Sequence, residues 1–539
     1  MKRPLGILLT ALLFSALPGR AATITVPAGG LTGTVNWTAN NEYLLDGWVY
    51  VLDGAVLNIE AGTVIRGKEA AAQPNYGALF ICRGGKINAV GSPANPIIFT
   101  AESDDIADPF DIPLADEGGS GRGLWGGVIM LGKGRINRAD AEASGAGTNP
   151  DGSAFQLYEG LGDSVVGGNN VHRFGGNDDT DNSGALRFVS IRYSGKVMES
   201  NKEINGLSMA GVGRSTTIEF VEVYANADDG FEWWGGAVNS RYLVSAFNSD
   251  ECFDMDQGHL GKHQFWFGLQ ALSADEGLEL NGQPSGGANV NTAGLQPFGR
   301  HEIYNVTLIG EGPGATSGSD VMNTRSEYYG SIHNSVFTQF QGRRVTESVA
   351  NNYGYVAHNL FFDIYGAGAS GDTYGDTNSP AALNPVADPL LRGISRAQDG
   401  QLDPRPGTGS PVFSGWRTPP VNSWFEPTAF KGAFDRELWC ADWTALSDNQ
   451  HLVNVSATTK CALPAAQPQV VINSSGTQAT LTWQAVSGAQ YQVQTSSDLV
   501  TWVNEGAAQL AGGEGTTTLT HASVLGGSGT DKHFRVIGR

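Results

Sequence analysis

The chain has 539 residues, 74 of them glycine, with 16% charged side chains and a formal charge of -21. That length exceeds one small domain, and the acidity argues against nucleic acid and anionic membrane surfaces as partners. Abundant Gly, Asn, Ser and Thr without sustained helical periodicity point to turn-dense β structure.

In chain order, Lys2 and Arg3, an apolar run from Leu5 to Leu17 and the small-x-small Gly19-Arg20-Ala21 read as a signal peptide over residues 1–21. The expected location is therefore secreted or cell-surface. No later stretch is apolar for long enough to cross a membrane as a helix. Short strand-like runs follow, such as Trp48-Val49-Tyr50-Val51, Val56-Leu57-Asn58-Ile59 and Ile97-Ile98-Phe99-Thr100, split by Gly, Asn or Pro. Long polar insertions at 103–122, 137–184, 281–300, 311–327 and 366–385 interrupt them and would wall a groove if several left from one side. In the second insertion Asp179, Asp181 and Ser183 alternate before Gly184, like the first half of a calcium loop.

Between Tyr224 and Gly282 one pattern occurs three times: Asp228-Asp229-Gly230-Phe231-Glu232, Asp250-Glu251-Cys252-Phe253-Asp254 and Asp275-Glu276-Gly277-Leu278-Glu279. A repeat of this length, each copy preceded by a short apolar run, is the mark of a solenoid. Coils of a parallel β-solenoid stack roughly 4.8 Å apart. Phe231, Phe253 and Leu278 are then expected to stack inward, and Glu232, Asp254 and Glu279 outward. Neighbouring carboxylates at that spacing repel by about 1 kcal/mol in water and more where shielded. Relief requires a cation, raised pKa values or a hydroxyl-rich ligand. Calcium fits oxygen ligands of this kind, and the expected metal ligands are Asp179, Asp181, Asp229, Glu232, Asp254 and Glu279. Trp233 and Trp234, beside these acids, and Arg343 and Arg344 are the candidate substrate-binding residues, because aromatic faces bind sugars and paired arginines hold anionic ones. His259 and His263 are four apart, but Gly258 and Gly261 argue against a helix that would make them a zinc pair. Asn305, Asn334 and Asn359 each precede an apolar pair, as an Asn ladder at a solenoid bend would.

The segments LNIEAGTVIRG (57–67), GGKINAVGSPANPIIFTA (84–101), GLWGGVIMLG (123–132) and TTIEFVEVYANADDGFEWWGG (216–236) resemble secreted bacterial right-handed parallel β-helix proteins of the pectin-lyase-like class. The resemblance implies an all-β right-handed parallel β-helix with its closing loop region over 22–461. Its function is open, because this class hosts lyases, hydrolases, epimerases and adhesins. NADDGFE (226–232) and NSDECFDMDQGHLG (248–261) are also similar to polygalacturonase segments, which implies Asp228, Asp250 and Glu251 as catalytic carboxylates if the protein is an enzyme. The Arg-x-Lys segment of that family has no counterpart downstream. Residues 462–468 read as a linker, and 469–539 resemble a fibronectin type III-like β-sandwich. Cys440 and Cys461 are a candidate disulfide, whereas Cys82 and Cys252 sit in strand-like runs and read as packed or exposed singletons rather than a metal pair. Two readings stand: an exported calcium-stabilised protein that binds polysaccharide or a cell-surface glycan as a scaffold, and a polysaccharide-degrading enzyme (a uronate lyase or epimerase, or an inverting hydrolase) that uses the acidic coils.

Overall fold

The computed structural model describes residues 22–454 except 138–145, 200–201, 283–295, 314, 316–317, 326, 348–352 and 421–423. Beyond 454 it describes parts of 469–538. The proposed signal peptide, linker and Cys461 lie outside the described residues, so the expected disulfide has only its buried Cys440 half in view.

Alternating apolar residues and frequent turns give short strands that pair in parallel with the next coil, and 24 of them form one continuous sheet. The fold is a parallel β-helix. One ladder runs through Ala78–Ile81, Val128–Leu131, Leu207–Ala210, Phe231–Trp234, Phe253–Asp256, Leu278–Asn281 and Met322–Arg325. A second runs through Gly184–Arg192, Thr217–Tyr224, Asn239–Ala246, Lys262–Leu269 and Glu302–Ile309.

The strands of the second ladder turn a corner midway. Phe188, Phe220, Tyr242, Phe265 and Asn305 each adopt a left-handed backbone, with φ from 50° to 59°. That conformation costs an L-residue roughly 1–2 kcal/mol. Ring stacking offsets the cost, with centroids 4.5, 4.4 and 4.8 Å apart from Phe188 to Phe265. Asn305 and Asn334 hold the same corner in later coils, but they donate to the carbonyls of Phe430 (2.9 Å) and Arg417 (2.7 Å) rather than to each other. Asn359 does ladder onward, since its own N–H donates to Asn384 Oδ1 and its Oδ1 accepts from the Ser335 N–H. A longer ladder, unanticipated, links Asn88 to Asn58 to Asn36 at 2.9 Å each.

Two additions clothe the solenoid. Residues 424–453 lie across the second ladder, where Trp439 and Trp443 pack on the stacked corner rings. Part of the insertion at 146–177 covers the outer face of the first ladder. Tyr158, Val171 and Phe174 bury Tyr50, Phe80, Leu131 and Trp234 beneath them. Cys82 and Cys252 are buried packed singletons, as expected. The described pieces after 468 form antiparallel sheets, with Trp483 buried. Among the described residues no helix is long and apolar enough to cross a membrane.

Candidate functional site

Strand register decides whether the three acidic repeats face one another. Phe231 pairs with Phe253 and Phe253 with Leu278, all inward and fully buried. Glu232 pairs with Asp254 and Asp254 with Glu279 on the outer face, so the acidic column exists. Ser208 and Asn323 bound it on the coils before and after. The residues two before each inward apolar residue, Asp229, Glu251 and Glu276, come round the preceding turn onto the same face. Asp229 Oδ1 accepts from the Glu251 N–H at 3.0 Å.

Among the described residues, four overlapping groups of carboxylates each bring one oxygen per residue to within 4.8 Å of the others: Asp228, Asp229 and Asp250; Asp229, Glu232 and Asp254; Asp250, Glu251 and Asp275; and Glu251, Glu276 and Glu279. Asp229, Glu232, Glu251, Glu276 and Glu279 are all buried. Arg325 is one cation that reaches them, with Nη1 2.6 Å from Glu279 Oε1 and Nη2 3.9 Å from Glu276 Oε1. Asn205 donates to Glu232, and Asn323 donates to Glu276 at 3.1 Å. Asp254 Oδ1 and Glu276 Oε2 are buried with no hydrogen-bond donor.

Burial, then neighbouring carboxylates, pushes Asp228, Asp229, Glu232, Glu251 and Asp254 well above the usual carboxylate range. Burial likewise raises Glu279 to about 7 despite Arg325, and Asp275 to about 7. Glu276 goes the other way. Against its own desolvation, hydrogen bonds from Glu251, Asp275 and Asn323 hold it low.

The donor set suits a hard cation. It consists of oxygens only, two of them unsatisfied, and opposite ligands of a calcium ion bound at 2.3–2.6 Å lie about 4.8 Å apart. Asp229, Glu232 and Asp254 are the residues that would hold one such ion, and Glu251, Glu276 and Glu279 another.

Other expected site residues lie elsewhere. Trp233 points inward, fully buried and stacked on Trp266 at 5.3 Å. Trp234 points outward, as neighbouring strand residues must, but Tyr158 meets it edge-on at 5.2 Å and it is buried. Neither indole offers a face to a sugar: Trp233 lies in the core, and an insertion distant in sequence covers Trp234. Arg343 pairs with Asp320 at 2.7 Å. Arg344 pairs with Asp372 at 2.8 Å and lies over Tyr374. Asp179 is taken by Arg135 and Arg214, and Asp181 hydrogen-bonds Ser183 in a buried turn, so this loop is tied by ion pairs and stands apart from the four acidic groups. His259 and His263 do meet, Nε2 to Nε2 at 3.0 Å, in a relay from Ser240 Oγ to the Gly235 carbonyl. Burial lowers both pKa values, so they are neutral and fully engaged with each other.

Three acids at this face escaped the sequence reading. Asp256 sits two residues beyond Asp254 on the same strand, where outward alternation could have exposed it. Glu159 and Glu203 come from insertions, and their charges act on Asp228.

The family profile of a pectate-lyase like beta helix domain matches residues 29–362. The chain belongs to that family. The matched span contains every coil of this pectate-lyase-like domain that carries the acidic columns. No curated protein matches the chain. Among solved structures, the enzymatically active domain of tailspike protein 2 from Bacteriophage CBA120 is similar at 10% identity and a TM-score of 0.24, covering 92% of this chain and 69% of that one. Full-length tailspike protein 2 from Escherichia coli O157:H7 bacteriophage CAB120 is similar at 10% identity and a TM-score of 0.25, covering 92% of this chain and 61% of its own.

Proposed function

We propose that this is an exported bacterial β-helix protein that holds calcium on its acidic face and binds polysaccharide there, as a secreted or cell-surface scaffold. One observation carries the reading: buried carboxylate oxygens, Asp254 Oδ1 and Glu276 Oε2, have no donor inside four overlapping acidic groups. Burying carboxylates without partners is costly. A bound cation removes that cost and leaves coordination positions for sugar hydroxyls or a uronate carboxylate. Calcium chloride titrated into the chelator-stripped full chain should release or absorb heat and raise the melting temperature. Retention on immobilised polysaccharide should fall with chelator. Absence of both calcium responses would sink the reading.

A second reading, a polysaccharide-degrading enzyme centred on Asp228, Asp250 and Glu251, is favoured by one feature. Glu251 is raised while its neighbour Glu276 is held low, and such divergence suits an acid–base pair. No Arg-x-Lys segment follows the acidic coils, as the polygalacturonase pattern would require, so a lyase or epimerase is the form this reading takes. It requires unsaturated uronates or epimerised sugar to appear in a polysaccharide digest, and Asp250→Asn to abolish them. A glycan that is retained but never altered excludes it.

A further inference from the structure

Beside the acidic columns lies a cavity of about 360 Å³ that the coils alone do not make. Trp48, from a coil, contributes to its lining. Glu159, Gly162 and His172 come from the 146–177 insertion, and Met198 and Lys202 from the hairpin of Val197–Glu199 and Lys202–Glu203. The volume is in the range of small-molecule sites.

Three observations give the cavity a chemical character. First, a neutral histidine with both ring nitrogens engaged forms part of its wall. His172 donates from Nδ1 to the Gly162 carbonyl at 2.8 Å and accepts at Nε2 from the Tyr50 hydroxyl at 3.0 Å, and its ring meets Trp48 edge-on. Burial lowers its pKa, so it stays neutral. Second, Glu159 has φ 48° and ψ 30°, a left-handed backbone that a non-glycine residue adopts at a cost of roughly 1–2 kcal/mol. Such strain concentrates at functional sites. Burial, then Glu203, raises its carboxyl to about 7, with Lys202 pulling the other way, so a large fraction carries a proton to donate near neutrality. Third, Tyr158, the neighbour of Glu159, shares a 2.9 Å hydrogen bond with Ser208 Oγ, and Ser208 pairs with Glu232, so the Glu159 wall of the cavity stands beside the start of the acidic column.

We propose that this cavity is a saccharide subsite for one neutral sugar residue of a glycan whose neighbouring residues lie along the acidic columns. Partly exposed Met198 suits the C–H face of a pyranose, and Trp48, which is buried, completes the apolar part of the lining. The Glu159 carboxyl and the Lys202 ammonium suit its hydroxyls. A uronate at this position would meet Glu159 and Asp163, which disfavours it. The proposal rests on the glycan reading but not on calcium.

The test is calorimetric binding of neutral hexose oligosaccharides and of oligogalacturonate to the full chain, with chelator and with calcium. At least one neutral oligosaccharide should bind in chelator. Gly162→Leu should weaken it at least tenfold, because a side chain there meets nothing within 4 Å and needs no left-handed backbone, so it occupies space without disturbing the fold. Glu159→Ala should weaken it too. Neutral-sugar binding that is unchanged in Gly162→Leu overturns the subsite and leaves the acidic face standing. Calcium-dependent oligogalacturonate binding alone, lost in Asp254→Asn, does the same. No saccharide binding under either condition overturns both.

Discussion

Two outward faces of the same solenoid bury carboxylates in register, and they resolve the crowding in opposite ways. On the second ladder Arg187, Glu219 and Arg241 stack in consecutive coils, so charge alternates along the column. Glu219 is buried but has Arg187 on one side and Arg241 at 2.7 Å on the other. Those arginines hold its pKa low against desolvation. Arg241 continues to Glu426 at 3.0 Å in the C-terminal segment that covers this face. On the first ladder Glu232, Asp254 and Glu279 stack with no such alternation, and burial drives Glu232 and Asp254 well above the usual range. The chain can evidently neutralise a stacked acid from within. Where it leaves acids stacked unneutralised, an external partner is the economical physical account.

The contrast is most sharply broken at Glu219. Glu219→Gln should cost about 3–5 kcal/mol, because it removes the carboxylate shared by the buried Arg187 and the largely buried Arg241, although Arg241 keeps Glu426. Urea unfolding would measure it, and the loss should be the same with calcium or chelator. A loss under about 1 kcal/mol, the scale of an exposed pair, would mean that the two faces do not differ as described. Next in size is the calcium effect itself. Ion at a hundredfold excess over its dissociation constant should add about 2.7 kcal/mol to the stability of the wild type. Thermal melts with calcium and with chelator would read it.

How much of this was legible in the sequence follows from what a repeat can encode. Register was readable, because the acid–acid–small–apolar–acid motif fixes which side chains share a column once the coils are parallel, and Phe231, Phe253 and Leu278 obey it. The corner was half-readable: Asn305 and Asn334 are there, but no composition rule places Phe188, Phe220, Tyr242 and Phe265 in left-handed backbone, since only their mutual stacking offsets the strain. What covers a face was not readable. Trp234 looked like a sugar platform until Tyr158, 76 positions earlier, was placed over it. Asp179 looked like a calcium ligand until Arg135 reached it. Both contacts join an insertion to a coil, which no local pattern specifies. Glu159 escaped for the same reason.

A smaller effect separates the faces by pH. Carboxyls such as Glu279 and Asp275, raised to about 7, ionise near 4 in the unfolded chain. The folded chelated protein therefore binds more protons between those values, and its stability falls as pH rises through about 7. Glu219, held low, has the opposite sign and loses its contribution as pH falls below about 4. Melting temperatures in chelator should peak near pH 5 and decline toward pH 8. Calcium should make that decline shallower but not abolish it, because Glu222, also raised to about 7 by burial, lies under the C-terminal segment away from the acidic face. Parallel declines with and without calcium would contradict the comparison.

The smallest expected effect changes sign with the metal. Asp254 occupies the middle of the acidic column, between Glu232 and Glu279. Asp254→Asn removes one of three stacked acids and gives the neighbouring carboxyls an amide donor. In chelator this variant should therefore be more stable than the wild type by about 1 kcal/mol, the scale of one added hydrogen bond. In calcium the order should reverse, because an amide is a poorer ligand than a carboxylate and the wild type alone gains the full binding energy. A substitution that merely damaged packing would lower the melting temperature under both conditions. One that merely relieved repulsion would raise it under both. Only a cation shared by these side chains makes the two curves cross.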